Sequence, residues 1–323
     1  MENVRGIKEN GTTEIQQSYN PKTLIVIVGP TAIGKTALAI QLAQFYKTEI
    51  ISADSRQFFK EMNIGTAKPS QEELVAAPHH FINSHSVKTL FSVGDFEVEA
   101  LKLLDQLFLR NNVVIMVGGS GLYIDAVCKG LDELPEIDLT IREQLNQQLA
   151  NDGIESIKTQ LQTLDPEYFS KVDQSNPQRM IRGLEVVLSS GQKLSSFLTA
   201  QKKERPFNIV KIGLNTDRSL LYDRINHRVD LMMEAGLLEE VKNLIPSRGY
   251  NALNTVGYSE LFDFIDGKTD LNSAIAMIKQ NTRRFAKRQL TWFRRDENIA
   301  WFEPNQVEEI ILHTQSKIVN LKP

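Results

Sequence analysis

Gly29-Pro30-Thr31-Ala32-Ile33-Gly34-Lys35-Thr36 reads G-x-x-x-x-G-K-T. It lies between the apolar run Leu24-Ile25-Val26-Ile27-Val28 and the segment Ala37-Leu38-Ala39-Ile40-Gln41-Leu42-Ala43. The spacing predicts a strand, a glycine-rich turn and a helix. In that setting backbone N–H groups of the turn ring an anionic phosphate, and the helix N-terminus adds its positive end. Lys35 reaches the outer phosphate oxygens, and the Thr36 hydroxyl is the expected Mg²⁺ ligand. A bare glycine turn between core elements is the alternative, and the eight-residue pattern in this context argues against it.

Outward from this turn, Ile50-Ile51 predict a second buried strand that ends in Ser52-Ala53-Asp54-Ser55-Arg56-Gln57. In a parallel sheet the strand C-termini share one rim, so Asp54 is expected beside the phosphate loop. A carboxylate there can act as a general base, hold an Mg²⁺-bound water, or cap a helix. Ile64-Gly65-Thr66-Ala67-Lys68-Pro69 reads as a loop, with Lys68 either a second cation at the rim or a solvated lysine. His79-His80 are adjacent, diverge on any regular element and make a poor metal pair. Val113-Val114-Ile115-Met116-Val117 predicts a fully buried strand entering Gly118-Gly119-Ser120-Gly121. Many phosphate-loop NTPases end such a strand in a metal-binding Asp. Glycines stand here instead, which argues against ordinary ATP hydrolysis.

Strand signals vanish over residues 131–206. Three amphipathic helices are expected at Ile141–Asn151, Gly153–Leu164 and Pro177–Ser190. Arg179 and Arg182 share a face of the last. The pattern predicts an α/β core (21–130 and 207–323) carrying an all-helical insertion (131–206), after a polar tail (1–20) read as disordered. Asn208–Leu214 returns to strand. A helix over 222–235 carries Arg224 and Arg228 at i, i+4, either of which can clamp a phosphate bidentately. Between Lys279 and Arg295 stand seven Lys or Arg and no acid, interleaved with Phe285, Trp292 and Phe293. In a chain of net charge −3 such a run points to a polyanion partner. The lone Cys128 excludes a disulfide framework and suits a reducing cytoplasm, and no run is long and apolar enough for a membrane span.

Taken in order, the motifs GPTAIGKT (29–36), DSRQ (54–57), IGTAKP (64–69), PHH (78–80), GGSGLY (118–123), NPQRMIRGLEV (176–186), VGYSE (256–260) and KRQLTWFRR (287–295) resemble the tRNA dimethylallyltransferases, also called tRNA isopentenyltransferases. The likeness runs from about Leu24 to Phe302. It implies a P-loop, nucleotide-kinase-like parallel sheet flanked by helices, with the all-helical insertion domain. It implies that the loop grips the diphosphate of dimethylallyl diphosphate, with Mg²⁺ as cofactor. The implied acceptor is N6 of adenosine 37 in the anticodon stem-loop of tRNAs reading codons that begin with U. The implied setting is a cytoplasmic monomer.

An adenine amino group is a poor nucleophile and needs a base as its new bond forms, for which Asp54 is the candidate. Charge developing on the departing diphosphate would be met by Lys35, the loop amides, Mg²⁺ on Thr36, and Arg224 or Arg228. Thr31 can hydrogen-bond either substrate. By the same resemblance the tRNA contacts are Asp54, Ser55, Arg56 and Gln57; Ser120; Arg142; Gln178, Arg179, Met180, Ile181 and Arg182; Asn254, Thr255, Val256, Gly257, Tyr258 and Ser259; and Lys287, Arg288, Gln289, Leu290, Thr291, Trp292, Phe293 and Arg294. Ser120 stands where the family usually has Thr, Phe59 where Tyr is common, and Asn83 where Asp is usual. Three rivals remain: a small-molecule kinase, a transferase acting on free AMP or ADP, and a tRNA-binding module without catalysis.

Overall fold

The computed structural model describes residues 22–199 and 201–319. The tail expected at 1–20 lies outside them. Six strands form one all-parallel sheet in the order β3-β2-β4-β1-β5-β6. They are β1 (Thr23–Val28), β2 (Ile50–Ser52), β3 (His79–His80), β4 (Val113–Val117), β5 (Asn208–Leu214) and β6 (Ile299–Phe302). β1 is buried along its whole length, with Thr23 opposite Val113 on one side and Asn208 on the other. Strands covered on both faces read as unbroken apolar runs, which is why β1 and β4 were legible at once.

The helices are α1 (Lys35–Tyr46), α2 (Gln71–Ala76), α3 (Val93–Leu107), α4 (Gly121–Lys129), α5 (Leu139–Asp152), α6 (Ile154–Leu164), α7 (Pro166–Lys171), α8 (Pro177–Ser190), α9 (Leu194–Phe197), α10 (Arg218–Glu234), α11 (Leu237–Asn243), α12 (Tyr258–Ile265), α13 (Leu271–Phe293) and α14 (Val307–Val319). The chain divides into two compact units. One runs through Phe91, takes in Glu99–Gly121 and resumes at Pro206; the other is Ser92–Val98 with Leu122–Arg205.

The first unit contains the sheet. Its main core packs Ile25, Ile27, Ile115 and Ile212 against Leu38, Leu42 and Leu221. A second core gathers Val229, Leu237, Leu261, Phe262 and Ile278. The other unit is helical, closed around Leu145, Ile157, Leu161, Met180, Ile181 and Leu184 from α5, α6 and α8. Two of its helices start at side-chain caps: Asn176 caps α8 ahead of Pro177, and buried Asp165 caps α7 while also accepting from Ser195. The short α7 has no counterpart among the three helices expected there. It is too brief to show a periodicity of its own. Among the described residues, no helix is long and apolar enough to cross a membrane.

Candidate active site

The C-terminal ends of β1, β2 and β4 bring three turns to one rim of the sheet. The first is the glycine-rich turn. Gly34 holds φ 105° as the N-cap of α1 and offers no side-chain cap, so the first amides of α1 stay open to an anion. Lys35 Nζ folds back onto the Pro30 carbonyl at 2.7 Å. Burial, opposed by Asp54 and reinforced by Arg228, lowers the Lys35 ammonium to about 8. Thr31, Lys35, Thr36, Ser52, Asp54, Gln57, Lys68, Glu73, His79 and Arg228 are among the residues lining a cavity of about 390 Å³.

The second turn follows β2. Asp54 Oδ1 accepts the Arg56 amide at 3.0 Å, so one carboxylate oxygen fixes the turn. Ser120, from the glycine turn after β4, accepts the Ser55 amide at 3.0 Å and meets the Ser55 hydroxyl at 3.1 Å. A second cavity, of about 200 Å³, also has Asp54 in its lining. Its polar lining includes Thr31, Asp54, Ser55, Ser120, Arg228 and Thr255. Its apolar wall is Ile225, Val229, Met232, Leu237, Ile278 and Phe285, from α10, α11 and α13. Both cavities lie wholly within the sheet-bearing unit, and they share Thr31, Asp54, Thr66, Ala67 and Arg228.

Arg228, and not Arg224, lines both cavities. Ile225 and Val229 fix the buried face of α10, which leaves Arg228 beside both cavities and Arg224 exposed. Burial holds the Arg228 guanidinium below its ordinary value.

Beside these turns lies the 64–69 loop. Glu240 on α11 accepts the amides of Asn63, Ile64 and Gly65 at 2.9, 2.8 and 3.1 Å, and the Tyr258 hydroxyl at 2.7 Å. Burial and the Glu240 charge push the Tyr258 phenol well above its usual range. Lys68 spends its ammonium on Phe59 O, Asn63 Oδ1 and Asn83 Oδ1 at 2.6, 3.0 and 2.5 Å, and burial lowers it to about 8. These bonds tie the loop down, while Lys68 also lines the phosphate-loop cavity. Gln57 does the same, donating to Thr66 O and Ala67 O at 3.3 and 3.1 Å and accepting from Ser52. Replacing Glu240 by alanine should cost about 2–3 kcal/mol of stability, because three amides lose a charged acceptor. Urea unfolding reads this directly, and an unchanged midpoint would show the loop held by other means.

The remaining expected contacts divide by face. α13 exposes Arg284, Lys287, Arg288 and Thr291, with Arg294 just beyond its end, and buries Ala286, Gln289 and Phe293. Lys279 and Arg283 are turned toward α10, pairing with Asp230 and Asn226. Leu290 packs against the main core. Near the 254–259 turn, Thr255, Val256 and Gly257 line the smaller cavity, whereas Tyr258 is fully buried. Asn254 is exposed and Ser259 half-buried, its hydroxyl donating to Thr255 O.

In the helical unit, Arg142 makes a two-pronged pair with Glu185, 0% exposed, and Arg182 reaches the same carboxylate at 3.4 Å. Gln178 and Arg179 are exposed, while Met180 and Ile181 are core residues of that unit. The side chains of Met180, Ile181, Tyr258, Gln289 and Phe293 are buried. His79 and His80 hold no shared ligand position: His79 Nδ1 bonds Ala77 O and His80 Nε2 bonds Glu49. The apolar cavity wall, Glu240, Glu73 and His79 were absent from the expected site. The wall is legible in the sequence only as the core stripes of three helices.

Residues 57–296 match the family model for IPP transferase. A tRNA dimethylallyltransferase of Christiangramia forsetii is 56% identical over 296 residues, covering 91% of this chain and 98% of the relative. Bacteroides fragilis tRNA dimethylallyltransferase 1 is 48% identical over 297 residues, covering 92% and 99%. The solved tRNA isopentenylpyrophosphate transferase of Bacillus halodurans aligns with TM-score 0.69 at 36% identity, covering 93% of this chain and 97% of that one. A eukaryotic dimethylallyltransferase solved acting on tRNA aligns with TM-score 0.76 at 25% identity, covering 94% and 80%.

Proposed function

The chain belongs to the IPP transferase family and transfers a prenyl group to tRNA, and from that premise we propose how its own residues carry out the reaction. One observation supports the reading above the others. The phosphate-loop cavity and the apolar-walled cavity meet at Thr31, Asp54 and Arg228. The diphosphate of dimethylallyl diphosphate occupies the first. The five-carbon chain and the incoming adenine meet at the junction with the second.

The acceptor is N6 of adenosine 37 in the anticodon stem-loop of tRNAs that read codons beginning with U. The base leaves its stack to enter, at a cost of a few kcal/mol. N6 attacks C1 of the dimethylallyl group as the C1–O bond to diphosphate breaks. Asp54 takes the N6 proton, which neutralises the amine as the bond forms. Lys35 turns from the Pro30 carbonyl to the departing oxygens. Arg228 and the open amides of α1 share the charge left on the diphosphate. Thr31, at the junction, orients either partner.

The donor set fits Mg²⁺. Thr36 offers a hydroxyl on the cavity that takes the diphosphate. Mg²⁺ keeps several waters and accepts substrate phosphates as ligands. When bound, it supplies charge neutralisation on the diphosphate. Among the described residues no three His, Cys, Asp or Glu converge, so the diphosphate itself would complete the shell. The exposed basic face of α13 is assigned to tRNA phosphates. Both cavities are complete within one chain, which supports action as a monomer, and the lone buried Cys128 suits the reducing cytoplasm.

Purified protein with Mg²⁺ and labelled dimethylallyl diphosphate tests this against three acceptors: unmodified tRNA with A37, the same tRNA with G37, and free AMP. Label is expected in the A37 tRNA alone. Label in AMP would move the acceptor to free nucleotides. Label in the G37 tRNA would remove adenosine 37 from the account.

A further inference from the structure

The buried amide of Gln289 sits where three segments distant in sequence converge. α13 turns this side chain inward, 6% exposed, although Lys287 and Arg288 beside it face solvent. Its Oε1 accepts the Thr31 amide at 2.9 Å, and its Nε2 donates to the Gly119 carbonyl at 2.9 Å. Both partners are backbone groups. One belongs to the phosphate loop after β1, the other to the glycine turn after β4.

A side chain at Gly119 would displace the Gln289 amide. A Cβ there would come 2.2 Å from Gln289 Nε2, with Lys35 Nζ at 3.8 Å. The glycine turn, the amide of Gln289 and the phosphate-binding lysine are therefore packed against one another. The two bonds need one donor and one acceptor on a single side chain of this length. Glutamate accepts but cannot donate, and methionine does neither.

We propose that Gln289 is a positioning residue for the diphosphate rather than a contact to RNA. It holds the Thr31 amide and the Gly118-Gly119 turn in register with Lys35. The inference rests on the reading of the loop as the diphosphate site. The outer face of the same helix stays available to RNA through Lys287, Arg288 and Thr291. One helix thus serves both substrates from opposite sides.

The test compares wild type with Gln289→Met and Gly119→Ala. The readouts are hydrogen exchange at the Thr31 amide in ligand-free protein, the KM for dimethylallyl diphosphate, and tRNA affinity. Exchange at Thr31 should quicken by about tenfold or more, and KM for the diphosphate should rise about tenfold, the size expected for one buried hydrogen bond lost. tRNA affinity should stay within about twofold of wild type, since no exposed residue of α13 is altered. Gln289→Glu should raise KM further, because it puts a negative charge against the loop. A loss of tRNA affinity with unchanged KM would make Gln289 an RNA contact and overturn the assignment. So would unchanged exchange at Thr31. Should wild type bind no dimethylallyl diphosphate, the proposed reaction fails, and the exchange measurement still judges whether Gln289 holds the loop.

Discussion

Replacing Asp54 by asparagine should lower turnover by about two to four orders of magnitude, the range a positioned general base supplies. tRNA affinity should barely change. The choice of asparagine matters because Asp54 also fixes its own turn, its Oδ1 accepting the Arg56 amide. Asparagine keeps an acceptor in that place and so preserves the turn, but it cannot take up the N6 proton. Asp54→Ala removes both roles. Equal losses in the two variants assign the effect to proton transfer. A large loss in alanine with near-normal turnover in asparagine would leave Asp54 as a turn residue and leave the reaction without a base. Single-turnover transfer to tRNA separates these outcomes from product release.

Lys35→Met should reduce kcat/KM for dimethylallyl diphosphate by about two to three orders of magnitude, the scale of losing one preorganised cation at a departing oxyanion. Wild type should show a matching pH dependence. Burial holds the Lys35 ammonium down to about 8 in the free protein. Below that value Lys35 is cationic and meets the diphosphate. As pH rises through it the charge is lost, so kcat/KM should fall on the alkaline side. Lys35→Arg stays charged throughout and should lose that fall while remaining slower overall, because a planar guanidinium does not reproduce the compact ammonium. A wild-type profile flat to pH 10 would mean that Lys35 does not titrate where its burial puts it.

The phosphate loop and the rim position of Asp54 were legible because their signals are local. A strand, a turn and a helix follow one another without interruption, and a parallel sheet fixes which ends meet. The choice between Arg224 and Arg228 was not local. Four residues apart, they differ only in which side of α10 faces the cavities, and that follows from the burial of Ile225 and Val229. The apolar wall was hidden for a related reason: Met232, Leu237 and Ile278 carry the pattern of any core helix, and only packing shows that a cavity lies behind them. Glu240 reads as an ordinary helix-surface acid until the loop at 63–65 is brought to it. Gln289 and Arg142 have partners that the motifs do not show. Both sit in segments assigned to RNA, yet Gln289 bonds the loop backbone and Arg142 is drawn to Glu185 in another helix. A motif reports that a segment matters; the side of the helix decides to what.

The sheet order has a consequence for synthesis. β1 is made first and ends up between β4 and β5, with Thr23 opposite both Val113 and Asn208. One edge of this apolar strand has no partner until the chain beyond Asn208 has left the ribosome. At ordinary elongation rates of about 5–20 residues per second, that is a wait of about 10–40 seconds. The helical unit, built largely from contacts close in sequence, is completed within that interval. The residues of that unit lengthen the time during which the strand bearing the phosphate loop stands open to aggregation, because β5 is made only after them.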